Sequence, residues 1–187
     1  MDKKYTIEVP IYSTPIHKLC QINQLKNIRI ILYGGVPDSP LNGGRFNYTL
    51  DGFFLWDRLF FRLSKKQRTR LTTMFYKTVL EANQNEIPFL IAYTNMFVDS
   101  HELTEENLFP VRWLADSSLK YSVRNGLILN NMLLENHIRE RYQDRLIYIS
   151  SCTKYVLPDK ILTPCETMNM YREDMMRYDF ITLTPQD

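Results

Sequence analysis

Residues suited to holding a polar or anionic small molecule recur after the apolar runs of this chain: Arg45, Asn95, Asn130, Asn131, Ser151, Thr153 and Lys154. Amides and hydroxyls offer paired donors and acceptors, Arg45 adds a planar fork matched to carboxylate or phosphate, and Lys154 adds a point charge. Ser151 and Lys154 are also the residue types of a nucleophile and its base, provided that the fold holds them in contact. Asp99, His101 and Glu102 are types that ligate metals or move protons. No second cluster completes them, and capping and solvation are ordinary uses of such residues. These residues name no reaction, no cofactor and no metal ligand, so whether the chain is an enzyme stays open.

Arg45 closes the stretch 34–45, Gly-Gly-Val-Pro-Asp-Ser-Pro-Leu-Asn-Gly-Gly-Arg, whose four glycines and two prolines make an irregular loop. Glycines let backbone N–H groups approach a ligand closely. The spacing is neither that of a dinucleotide-binding turn nor that of a P-loop, and no helix follows directly. A ligand-contacting loop and a purely structural double turn both fit. The stretch 46–63 is dense in aromatics (Phe46, Tyr48, Phe53, Phe54, Trp56, Phe60, Phe61) and reads as an insertion packed on the core or on a partner. With Arg58 and Arg62 it also has the makings of a base-stacking surface.

Strand and helix signals alternate around these residues. Ile28 begins Ile-Arg-Ile-Ile-Leu-Tyr, a short apolar run of the kind found in strands covered on both faces. Residues 87–93 supply a second such strand, 127–129 a third after the Asn125-Gly126 turn signal, 146–150 a fourth and 180–184 a fifth. Helical spacing fills the gaps. Ser64 with Gln67 forms a capping box before Leu71, Met74, Phe75, Val79 and Ala82. Thr104 caps a helix to about Tyr121, which Pro110 should kink or split. Residues 132–142 place Leu133, Leu134, His137 and Ile138 inward or at the boundary, and Glu135, Arg139, Glu140 and Arg141 outward. Thr163-Pro164-Cys165-Glu166 opens a last helix, to about Tyr178. At the start, Tyr5, Ile7, Val9 and Ile11 alternate as a short strand or as an arm crossing another element, and residues 1–27 are taken as an N-terminal arm.

Composition bounds the setting. A chain of 187 residues suits one domain, 1–187, able to bury a core without disulfides. An apolar fraction of 44% with 24% charged residues is ordinary, while 13% aromatics is high and argues against low-complexity disorder. A net charge of +2, from 23 basic and 21 acidic residues, lacks the strong basic balance of nucleic-acid binders. The basic cluster 65–70 at a helix start keeps such a partner open, a solvated helix face being the alternative. Three widely spaced cysteines without a Cys-x-x-Cys pair read as reduced thiols, and no apolar run approaches a membrane span. A cytoplasmic chain with no membrane partner is the expectation.

Strands alternating with helices make a parallel sheet through right-handed crossovers. An α/β fold with a parallel sheet of about five strands and alternating helices follows, a partial TIM-type (β/α) barrel. In the segment 125–156, a short strand precedes Asn-Asn-x-Leu-Leu-x-x-x-Ile-Arg and the next strand ends Ile-Ser-Ser-x-Thr-Lys. That segment resembles the corresponding unit of the barrel in peptidase U32-like proteins. The resemblance covers about thirty residues well and extends loosely over 28–184. It implies the first half of a (β/α) barrel, without the later cysteine cluster that carries iron–sulfur chemistry in members of the family. Parallel α/β folds bind ligands outside the carboxyl ends of their strands, where the seven residues named first fall. A polar or anionic small ligand is the leading expectation. The alternative is an interaction or assembly protein that forms a homo-oligomer or docks on a larger complex through its sheet edge and aromatic insertion.

Overall fold

The computed structural model describes residues 5–11, 14–37, 39–42, 47–50, 53–56, 65–151 and 163–182, with backbone alone for 47–50, 53–56, 65 and 68. In chain order the elements are β1 Tyr5–Pro10, α1 Ile16–Asn23, β2 Ile28–Gly34, β3 Asn47–Leu50, β4 Phe53–Trp56, α2 Lys65–Gln84, β5 Phe89–Tyr93, a 3-10 turn Ser100–Glu102, α3 Glu105–Tyr121, β6 Gly126–Leu129, α4 Met132–Tyr142, β7 Ile147–Ser150, α5 Pro164–Arg177 and β8 Phe180–Ile181. Six strands form one sheet in the order β1-β2-β5-β6-β7-β8, and every neighbouring pair is parallel. β3 and β4 form a separate antiparallel pair within the aromatic-rich stretch.

The strand order follows the sequence without reversal, so the helices lie on one side of a sheet that curls as half a barrel. Side chains of one parity, among them Ile30, Leu32, Phe89, Ile91, Leu127, Leu129 and Tyr148, pack with Leu19 of α1, Phe75 and Val79 of α2, Val111 and Leu114 of α3, and Leu134 and Ile138 of α4. The other parity puts Ile31, Leu90, Ile147 and Ile149 together with Tyr33 and Ile128, a cluster of strand residues alone. Burial on both faces is why these strands are continuously apolar in sequence rather than alternating.

Six strands stand where about five were expected. The additional one is β1, the strand reading of the first segment, paired with β2 along its whole length. α1 went unread, its eight residues being too few to show a clear helical period. Pro110 does not split α3, which runs unbroken from Glu105 to Tyr121. At the sixth helical position the ring forgoes one amide hydrogen bond, to a carbonyl in the first turn, where water can reach it.

The Asn125-Gly126 pair is not an exposed turn. Asn125 is fully buried at the amino end of β6. Its Oδ1 accepts from the Phe89 amide at 2.8 Å and from Asn83 Nδ2 at 3.0 Å. Its Nδ2 donates to Asn83 Oδ1 at 2.8 Å and to the Ser118 hydroxyl at 3.0 Å. Ser117 completes the group by donating to Asn83 Oδ1 at 2.8 Å. One amide thereby joins α2, α3, β5 and β6. Gly126 is required because a Cβ there would lie 2.2 Å from Ile147 Cγ1 and 2.5 Å from the Ile147 carbonyl oxygen. Among the described residues no helix is long and apolar enough to cross a membrane.

Candidate functional site: the carboxyl ends of the strands

Parallel pairing brings Gly34 level with Ile91, Tyr93 with Leu129, and Leu129 with Ser150, so the segments leaving β2, β5, β6 and β7 emerge side by side. Three of the asparagines singled out in the sequence bind these segments to one another. Asn95 takes its backbone amide to the Leu41 carbonyl at 3.3 Å and its Nδ2 to the Pro40 carbonyl at 2.9 Å, while its Oδ1 accepts from Phe97 N at 3.0 Å. Asn130 donates from Nδ2 to the Thr94 carbonyl at 2.7 Å. Asn131 caps α4 by accepting from Leu134 N at 2.9 Å, and its Nδ2 reaches the carbonyls of Met96 at 3.0 Å and Val98 at 3.3 Å. The result is a continuous hydrogen-bonded rim, from residues 40–41 through 94–98 to 130–131.

Ser151 continues the rim beside Asn130, its amide bonded to the Leu129 carbonyl at 2.8 Å and its side chain buried. Its neighbour Ser150 faces the other way and donates to Asp174 of α5 at 2.7 Å. The two serines therefore divide between the faces of the sheet, as the pleat requires. Arg45, Thr153 and Lys154 lie outside the described residues, as do Ser64 and the side chains of the aromatic insertion. Among the described residues, Asn95, Asn130, Asn131 and Ser151 are brought together, and they offer amides, a hydroxyl and backbone groups but no acid or base.

Beneath the rim, Tyr93 is fully buried. Burial pushes its hydroxyl well above the usual range, and neighbouring Ser39 draws it back only in part. Phe97 projects from the rim at 79% exposure, and Met132 and Leu133 after Asn131 are exposed too, so Leu133 stands outside the inward or boundary position expected of it. The trio Asp99, His101 and Glu102 is a capping box. Asp99 Oδ1 accepts from His101 N at 2.7 Å, and Glu102 Oε2 accepts from Asp99 N at 3.2 Å. Among the described residues no cluster of His, Cys, Asp or Glu is arranged to hold a metal ion.

The strongest electrostatic feature was misread in the sequence. Glu135, assigned to the outer face of α4, is fully buried. Its Oε1 meets Arg139 Nε at 2.7 Å and also accepts from Arg177 Nε, while the Tyr178 hydroxyl donates to Oε2. Arg139, also assigned outward, donates to the Arg177 carbonyl at 2.7 Å and lies 3.9 Å above the Tyr148 ring. Burial, then the hydrogen bond to Glu135, hold the Tyr178 hydroxyl far above its usual range. Burial likewise pushes Tyr148 up to about 12 against the opposing pull of Arg139. The hydrogen bond from Arg177 to Glu135 raises the guanidinium further. The cluster lies in the helix layer, away from the rim, and fastens α5 and the start of β8 to α4. The signal available in the sequence was the Glu135/Arg139 pair at i,i+4; nothing local placed Arg177 and Tyr178 against it.

No family model, curated protein or solved structure matches the chain.

Proposed function

We propose that the chain is a (β/α)-barrel-derived domain that binds a polar or anionic small ligand at the carboxyl ends of its strands, on the pattern of the peptidase U32-like barrels that its segment 125–156 resembles. One observation carries the reading. The segments leaving β2, β5 and β6 are tied into a single rim by Asn95, Asn130 and Asn131, so loops far apart in sequence start from one place. The cationic residues Arg45 and Lys154 come after β2 and β7 in the sequence, and they would supply the charge that the amide rim lacks. Thr153 would add a hydroxyl. The asparagine amides serve the frame, and the ligand is held by what the frame presents. Whether a reaction follows binding depends on a titratable group that the described rim does not contain, so the proposal is of binding.

The test is thermal melting of the wild type, Arg45→Ala and Lys154→Ala with inorganic phosphate, citrate and a nucleoside triphosphate. An anion at a hundred times its Kd stabilises by about 2.7 kcal/mol, a rise of several degrees that either alanine should abolish without altering the melting point in plain buffer. Equal response of wild type and both variants to every anion would refute the reading.

A further inference from the structure

Beyond ligand binding, we infer that the two edges of the sheet form a docking surface for a second copy of the chain, β8 and α5 of one copy meeting β1 and α1 of the other head to tail. β1 pairs with β2 alone and β8 with β7 alone among the described strands. Eight of the thirteen exposed large apolar side chains among the described residues lie at these two edges. At the first are Tyr5 at 55%, Ile7 at 43%, Ile22 at 36% and Leu25 at 53% exposure. At the second are Met168 at 53%, Met175 at 66%, Met176 at 90% and Phe180 at 60%.

Helix geometry says which way these residues look. α5 leans on α4 through Arg177, which reaches Glu135. At about 100° per residue, Met168 and Met175 fall on the flank of α5 roughly opposite Arg177, where no described helix stands. α1 in turn leans towards α2, with Cys20 packed against the core cluster that holds Phe75 and Val79 of α2. Ile22, about 200° further round, falls on the flank turned away from α2. Between the two helices, Tyr5 and Ile7 share the parity of Val9, which packs on the helix side of the sheet. Setting β8 beside the partner's β1 therefore makes one seam. Its floor is Tyr5 and Ile7, one wall is the methionine flank of α5, and the other is Ile22 with Leu25.

The area suits a stable dimer. At about 200 Å² for a large side chain, the exposed fractions of seven of these residues, leaving out Met176 on the far side of α5 from the sheet, amount to roughly 730 Å² per copy. Two copies that each bury both edges remove about 1,460 Å², within the range of standard specific interfaces. Two such seams related by a twofold along the barrel axis close the ring, whereas a head-to-tail contact that fails to close gives filaments. Ring closure also sets the two strand-end rims around one opening.

The test is the solution mass of the full chain by light scattering over the micromolar range, with Ile7→Glu and Met175→Glu, each checked by circular dichroism for retained helix. Ile7 and Met175 are exposed in the monomer, so both variants should fold; Tyr5→Lys and Met168→Lys replace either one that does not. The wild type is expected at twice 22.3 kDa. Each variant alone should run as a monomer, and an equal mixture of the two should regain a dimer, because one seam of the mixed pair is intact. A monomeric wild type, filaments, a dimer indifferent to both variants, or a mixture that stays monomeric would each overturn the proposal.

Discussion

Glu135→Gln removes the carboxylate charge to which two guanidiniums and a phenol are hydrogen-bonded in the helix layer. Breaking a fully buried ion pair costs about 3–5 kcal/mol. Here Arg139 keeps 19% and Arg177 35% of its side chain exposed, so each recovers some hydration when the carboxylate is lost. Arg139 also keeps its bond to the Arg177 carbonyl and its stacking on Tyr148. The expected loss is therefore about 2–3 kcal/mol, or about 5–10 °C in Tm for a chain of this length. Urea unfolding followed by circular dichroism reads the first quantity and a thermal melt the second. Glu173→Gln, on the exposed surface of the neighbouring helix, serves as the control and should move stability by less than about 0.5 kcal/mol. The double variant Glu135→Gln/Arg177→Met should lose less than the sum of the two singles, by about 1–2 kcal/mol, since without the carboxylate Arg177 is a partly buried charge that has lost its hydrogen-bonded counterion. Amide exchange should quicken in α5 before it does in β5 or β6, because the cluster is the principal tie between α5 and α4. A loss below about 0.5 kcal/mol, or strict additivity with Arg177→Met, would refute the assignment of Glu135 as the hub of that tie.

Two further outcomes follow from named contacts. Gly126→Ala should destabilise by about 3 kcal/mol or more, and Ile147→Ala in the same chain should not restore it, because the Ile147 carbonyl oxygen would still stand 2.5 Å from the new Cβ; urea midpoints of the single and double variants decide this. Stability should also fall in alkali, since Tyr148 ionises at about 10 when unfolded but at about 12 in the fold. The favourable contribution is complete below pH 10 and disappears as the pH rises through that window, with Tyr93 and Tyr178 shifted in the same direction. Tyr148→Phe should flatten part of the slope, and a stability constant between pH 9 and 12 would contradict it.

The strands and helices that build the main sheet from residue 28 onward, and their class, were legible in the sequence, whereas α1 and the β3–β4 pair were not. Doubly buried strands have to be apolar runs, as at Ile28–Gly34 and Phe89–Tyr93, and caps leave local marks, as at Thr104 and Thr163. Alternation of such elements then gives a parallel sheet with helices. It also located the strand-end residues, because a polar cluster after an apolar run is a local pattern. What those residues do was decided by tertiary structure. Asn95, Asn130 and Asn131 read as ligand donors, and each gives an amide hydrogen bond to the carbonyl of a neighbouring segment that only the sheet brings near. Asn125 read as a turn because Asn-Gly is a turn signal in isolation, and it became a buried hub once Asn83, Ser118 and Phe89 converged on it. Glu135 read as solvent-facing because helical periodicity sees one helix at a time; its burial depends on Arg177 and Tyr178, more than forty residues later. Local interactions leave their signature in composition and spacing, whereas the partner of a buried polar group is set by packing between distant segments, and that packing separates a side chain that binds a ligand from one that holds the frame.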